Sequence, residues 1–447
     1  MKFLIIGADA AGMSAASRAG RNIPGIEITV LEKTRDVSYS ACGMPYNIAD
    51  PNRDIDDLVV RDARTFREKQ GIRLLTGHEA TSIDPEARRV FGKDSSGRAF
   101  EEPYDKLLIA TGASPVMPDM EGADLPGVMG LKSLGDGRKI KAWLRERNVR
   151  KVVIMGMGYI ALEMCEALRS RAIEVEMAKP GPVFLPRMAK ELSEAIRKET
   201  ESHGAVLRMG VEMKRIEPTG NALKIVCEDS PDMEADMVLA AMGVVPNSAF
   251  ALSAGLKTDV AGAVAADRAM RTSDPHIYAA GDCADAFHVV TGKKTWIPLA
   301  LRANRAGWAV ADHLAGKDVR LPGVAGAAVF KVFDFEAAQA GVTQREAVKE
   351  GFDPASVTIK ARSRAHAHPG ASEIWIHMVG DRKNGRLLGA QMAGREGCAH
   401  RINAVSAALS ARMTVEAFSQ VDFAYAPPFG PVWDPLLTTA GQLMKKM

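Results

Sequence analysis

A glycine turn that occurs twice, each time between an apolar run and a helix-like stretch, constrains this chain more than any other feature. Residues 2–6 (KFLII) lead into Gly7-Ala-Asp9-Ala-Ala-Gly12 and the small-residue stretch MSAASRAGR; a second apolar run, Ile26 to Leu31, ends at Glu32. This is the order strand, glycine turn, helix, strand, acid. Such a turn lets the backbone approach a pyrophosphate at a helix N-terminus, where free N–H groups face the anion. Glu32 stands near the spacing expected of an acceptor for ribose hydroxyls. Asp9 occupies the place of the middle glycine, so this copy is imperfect and alone is weak evidence, an ordinary buried turn being the lesser alternative.

The second copy is intact. Lys151 to Met155 leads into Gly156-Met-Gly158-Tyr-Ile-Ala161, the helix-like LEMCEALRSR, and a strand from Glu174 to Ala178. Two dinucleotide sites imply two nucleotides, and a flavin with a nicotinamide is the economical pair. Lys179 stands where a second acid is expected. A carboxylate there suits a free ribose 2′-OH, and a cation tolerates a 2′-phosphate, so NADPH is expected to be accepted beside NADH.

Bulk properties narrow the class. The formal charge is +3 in 447 residues, with 25% charged residues and no long run of one sign, which gives no support for nucleic-acid or membrane binding. The five cysteines (Cys42, Cys165, Cys227, Cys283 and Cys398) are scattered and form no CxxC, which argues against a disulfide scaffold or a metal site. A reducing, cytoplasmic setting is expected. The apolar N-terminus reaches Gly7 too soon for a signal-peptide core.

Three further segments complete a pattern. Leu107-Leu-Ile-Ala-Thr111-Gly112 and Ile277-Tyr-Ala-Ala-Gly281-Asp282 are strands ending in turns, with the second nucleotide unit between them. This order resembles the pyridine nucleotide–disulfide oxidoreductases. The resemblance implies an α/β fold of two Rossmann-like domains. The FAD-binding domain (1–115 and 245–320) is split by an inserted NAD(P)-binding domain (116–244), and an α+β dimerisation domain follows (321–447). It further implies that Asp282 serves the FAD ribityl and phosphate region, and that the helix after Pro298 lies along the flavin. The strand-like runs Phe330–Phe333, Val357–Lys360, Ile374–Val379 and Leu387–Met392, then helices over 399–410 and 415–421, fit the last domain.

The subgroup is carried by Ser38-Tyr-Ser-Ala-Cys42-Gly-Met-Pro45-Tyr46. Members resembling glutathione reductase carry CxxxxC, but Asn47 stands five after Cys42. The single-cysteine pattern is similar to coenzyme A-disulfide reductases and their relatives, the NADH oxidases and persulfide reductases. The resemblance implies that Cys42 is the redox-active nucleophile, its thiolate favoured by the helix start that follows. It implies that Tyr425, within Asp422 to Pro435, reaches the active site of the other subunit of a homodimer and acts as an acid. His368 stands where coenzyme A-disulfide reductases tend to carry a tyrosine and is a candidate proton donor. Ser14, Arg18 and Arg21, on one helical face, together with Ser38, match positions that bind coenzyme A. Ala41 and Ala10 depart from residues found in some relatives, and Ala10 argues against a dedicated peroxidase. The expected acceptor is a coenzyme A disulfide, persulfide or polysulfide. The rivals are an NADH oxidase using O₂, a redox-sensing flavoprotein, and an electron-transfer reductase.

Overall fold

The computed structural model describes residues 1–447. Lys2–Ile6 is the middle of a five-stranded parallel sheet ordered Ile277–Ala279, Lys106–Ile109, Lys2–Ile6, Glu27–Glu32, Arg73–Thr76. Strands buried on both faces read as near-continuous apolar runs, as KFLII and KLLI do. A second parallel sheet repeats the plan in the order Val206–Met209, Glu174–Lys179, Lys151–Met155, Met237–Ala240, Val128–Gly130. In each sheet a helix leaves the central strand through a glycine turn: Ala10–Asn22 in the first, Tyr159–Arg169 in the second.

The duplication runs further than the sequence suggested. Each unit carries a three-stranded antiparallel sheet just before the strand that pairs with the central one on its other side, Lys106–Ile109 in the first and Met237–Ala240 in the second. In the first it is His78–Asp84, Arg89–Asp94 and Ala99–Pro103; in the second, Glu212–Thr219, Ala222–Glu228 and Met233–Ala235. The crossing between the units is a short antiparallel pair, Ala113–Pro115 with Val244–Pro246.

The C-terminal third is a five-stranded antiparallel sheet ordered Ala328–Val332, Phe335–Gly341, Leu387–Gly394, Glu373–Asp381, Pro354–Arg362. Helices Cys398–Ser410 and Pro435–Met444 pack on it, as does Lys190–Ser202 from the second unit. The run expected over Phe330–Phe333 instead ends at Val332. Phe333, at φ +53°, turns the chain into the alanine-rich strand Phe335–Gly341, which lacks the β-branched residues that announce a strand. The last short helix ends at Ser419 rather than Val421. No helix is long and apolar enough to cross a membrane.

Candidate active site

The two glycine turns share one geometry. A Cβ on Gly7, at φ +106°, would meet the Ala110 carbonyl oxygen at 2.2 Å, and one on Gly156, at φ +119°, would meet that of Ala241 at 2.3 Å. Both glycines therefore let the turn close against the neighbouring strand end. Neither nucleotide helix has a side-chain cap at Asp9 or Gly158, whereas Ser133 and Thr343 close capping boxes on helices elsewhere. The uncapped first-turn N–H groups remain free for a phosphate. Around Gly158 a Cβ would meet nothing within 4 Å, so there is open room beside the second turn, and Ala161 is fully buried beneath it.

Around the first turn the remaining expected residues converge. Glu32 Oε2 accepts the Ala8 N–H at 3.0 Å, and Oε1 accepts from Thr34. Ser38, in the left-handed region at φ +47°, donates its N–H to the Ala8 carbonyl at 2.9 Å. The Thr111 hydroxyl is engaged with the Asn247 carbonyl at 2.7 Å, while Gly112 opens at φ +70° with nothing near its Cβ position. Gly281 packs toward Ala11, and the next residue, Asp282, directs its carboxylate to Lys132 Nζ at 2.9 Å. Asp9 lies half-buried beside Glu32 and Asp282, and its desolvation pushes the carboxyl up to about 6. At the second turn, Lys179 ends its strand and folds over Gly181 to donate to the Val183 carbonyl at 2.8 Å; burial pulls its amine down. These turns and uncapped helices fit a flavin dinucleotide in the first unit and a nicotinamide dinucleotide in the second.

Between the units lies a cleft of about 490 Å³ whose walls include Cys42, Lys132, Tyr159, Glu163, Pro298 and Arg302. Cys42 sits on the turn Ala41–Gly43 that feeds the helix Met44–Ala49, and its residue is open to the cleft. Burial and the Glu163 carboxylate push the thiol up, and Lys132 opposes them only in part. Asn47, in the place of a second thiol, is fully buried with its amide on the Asp54 carbonyl at 2.7 Å. Cys165, Cys283 and Cys398 are buried and pack as small groups, while Cys227 is half-buried; Cys283 lies against the carbonyls of Ile109 and Ala280.

The structure disperses the other expected residues. Ser14 bonds Asn304, and Arg18 pairs with Asp312 at 2.7 Å while stacking on Trp308, so much of the expected cationic face is already neutralised; Arg21 stays exposed. His368 and Tyr425 lie on two touching loops, joined by the Ala365 N–H to the Pro427 carbonyl, and neither lines the cleft of its own chain. Tyr425 is exposed with Phe429, Val432 and Trp433, an apolar run suited to a partner surface. Sequence reasoning missed Lys132, Tyr159 and Glu163. The latter two sit four apart on the helix after the intact fingerprint, a spacing that could have flagged one face; Lys132 belongs to no motif.

The chain belongs to the pyridine nucleotide-disulphide oxidoreductase family, matching it over residues 1–307 and its dimerisation domain over residues 327–435. It is therefore a flavoprotein of the class that uses FAD with NAD(P)H. An NAD(P)H sulfur oxidoreductase (CoA-dependent) of Pyrococcus abyssi is 39% identical over 98% of this chain and 97% of its own length. An NADH oxidase of Methanocaldococcus jannaschii is 33% identical, covering 100% and 99%. Among solved structures, an NAD-dependent persulfide reductase from A. fulgidus superposes with a TM-score of 0.96 at 36% identity, over 100% of this chain and 83% of that one.

Proposed function

We propose that this protein reduces a coenzyme A disulfide, persulfide or polysulfide at the expense of NADH or NADPH, through Cys42. The observation that carries the reading is a lone thiol, with Asn47 in place of a partner, set in the cleft where the two nucleotide units meet. The relatives named for coenzyme A-dependent sulfur reduction and persulfide reduction support it. FAD, when bound, supplies the two-electron link between a nicotinamide and Cys42. Gly7, Gly12, Glu32, Gly112, Gly281 and Asp282 are the residues proposed to hold it, with Thr111 and Pro298 shaping its surroundings; Gly156, Gly158, Ala161 and Lys179 are proposed to hold the nicotinamide dinucleotide.

The Cys42 thiolate attacks one sulfur of the acceptor, the S–S bond breaks, and the departing thiolate takes a proton. The mixed disulfide then accepts two electrons, releasing the second thiol and restoring Cys42. The balance is one hydride and one proton per S–S bond, yielding two thiols. Tyr425 or His368, brought by the partner subunit of a cytoplasmic homodimer, is the proposed proton donor. Arg21, with Ser14, Arg18 and Ser38, is the proposed contact for the coenzyme A phosphates. The domain division proposed is 1–115 with 245–320, 116–244, and 321–447.

Cys42→Ser is the test. Anaerobic reduction of coenzyme A disulfide should fall at least about a thousandfold, as expected for loss of a nucleophile, while flavin reduction by NAD(P)H survives. Undiminished disulfide reduction would sink the reading. The M. jannaschii relative favours a second reading, oxygen reduction at the same centre. NADH-driven oxygen uptake exceeding disulfide turnover in the wild type would move it ahead.

A further inference from the structure

One buried arginine forms no ion pair. Arg302 stands in the first turn of the helix Ala300–Leu314, lines the cleft, and is 8% exposed. The carboxylates of the turn beside it are taken, Asp282 by Lys132 Nζ at 2.9 Å and Asp285 by Lys294 Nζ at 2.7 Å. The guanidinium donates to backbone instead: Nη1 to the Gly281 carbonyl at 3.2 Å, and Nη2 to those of Ala284 at 2.8 Å and Asp285 at 2.6 Å. Nη1 also reaches the Ile297 carbonyl, just before its own helix, at 3.5 Å. Burying a charge without an opposite partner is costly, and here hydrogen bonds to carbonyls are what offsets that cost.

The turn that Arg302 grips divides its acceptors from its donors. Trp296 Nε1 donates to the Asp282 carbonyl at 2.8 Å, and the Val264 N–H to the Cys283 carbonyl at 2.9 Å. With the three bonds from Arg302, every carbonyl from Gly281 to Asp285 is engaged. The N–H groups of Gly281, Asp282 and Cys283 have no acceptor, although Gly281 and Cys283 are buried. Buried N–H groups without a partner are rare in folded chains. Successive free amides in a turn form a concavity that takes an anion.

We propose that Arg302 is a positioning residue for the flavin site: its guanidinium ties down the carbonyls of Gly281, Ala284 and Asp285, and so keeps the N–H groups of Gly281, Asp282 and Cys283 free for the FAD dinucleotide. A turn whose carbonyls are fixed in this way cannot flip a peptide to satisfy its own amides, so the site is preorganised before the cofactor arrives. The planar guanidinium fork spans several carbonyls at once, whereas a lysine ammonium is a single point of charge. The inference rests on the assignment of FAD to the first unit and not on the acceptor reduced at Cys42.

The test uses the FAD-loaded enzyme, without nicotinamide or acceptor. Release of FAD on dilution is followed by the return of flavin fluorescence, and amide hydrogen exchange is followed by mass spectrometry. Arg302→Met keeps an apolar stem in the buried site and removes the donors. It should speed FAD release at least about tenfold, the worth of one hydrogen bond from a charged group. Exchange should rise over residues 277–285 while Lys151–Met155 in the second sheet stays protected. Arg302→Lys keeps the charge but not the fork, so its release rate should fall between those of the wild type and Arg302→Met. Unchanged FAD release in Arg302→Met overturns the proposal, as does a rise in exchange spread evenly over both sheets, which would mark a role in stability alone. Should Arg302→Met fail to fold, Arg302→Lys decides: faster release supports the proposal, and the wild-type rate overturns it. Asp282→Ala separates this inference from the reading beneath it. If both Asp282→Ala and Arg302→Met release FAD at the wild-type rate, the flavin assignment fails too; if only Arg302→Met does, the inference alone is overturned.

Discussion

In the first nucleotide unit the glycine turn carries Asp9 and the second strand ends on Glu32; in the second unit the matching places hold Gly158 and Lys179. Sheet order, uncapped helix and inserted antiparallel sheet are otherwise shared. One backbone plan is therefore used twice, and the two copies differ in a few side chains at the strand ends. On the proposed assignment, the acid beside the first turn favours hydroxyl donors on a ribose, and the amine beside the second accepts an added phosphate. The units also differ in their edge strand. Ile277–Ala279 reaches the first sheet from downstream, and Val128–Gly130 reaches the second from upstream.

The largest effect should come from filling the turns. Gly7→Val drives a side chain into the Ala110 carbonyl, so the purified protein should lose its flavin absorbance. Gly156→Val meets the Ala241 carbonyl, so it should keep flavin yet lose flavin reduction by NAD(P)H. A Cβ at Gly158 meets nothing within 4 Å, so Gly158→Ala should keep its fold while the KM for the nicotinamide rises. Retained flavin in Gly7→Val would break the correspondence between the two units.

A smaller effect should follow from exchanging the strand-end charges. Lys179→Glu should shift the ratio of kcat/KM for NADPH over NADH toward NADH by about ten- to a hundredfold, the worth of a charged hydrogen bond to phosphate. An unchanged ratio would mean that Lys179 serves only its bond to Val183.

The smallest effect concerns Asp9. Its carboxyl is raised to about 6 in the fold, so its contribution to stability is full below the ordinary carboxylate range and is lost as pH rises through about 6. The flavin-free protein should lose up to about 3 kcal/mol from this group between pH 4 and 8. Asp9→Asn should flatten that part of the profile in denaturant titrations. The second unit, with Gly158, has no such contribution, and a profile unaltered by Asp9→Asn would erase this difference between the units.

What could be read from sequence was what is local. The glycine turns, the parallel strands and the Cys42 segment announce themselves because their residues are neighbours in the chain. Asn47 told of a single thiol for the same reason. Glu163 and Lys132 were silent because tertiary folding alone brings them to the cleft that Cys42 lines. Arg18 looked free because its partner, Asp312, lies on a distant helix. The strand Phe335–Gly341 was hidden by alanine, whose strand preference is weak and is here overridden by pairing on both sides.

The downstream edge strand has a consequence for synthesis. Ile277 pairs with Leu107 only after the whole second unit has been made, whereas the second sheet draws every strand from residues 128–240. On the ribosome, where segments fold as units, the nicotinamide-side unit can be complete while the flavin-side sheet still has a bare edge at Lys106–Ile109. The long closure also makes that pairing a late and slow event. Chains released before the Gly281-Asp282 turn should carry a finished second sheet beside a first sheet that still lacks its edge strand, and the open edge makes them the species most in need of a chaperone.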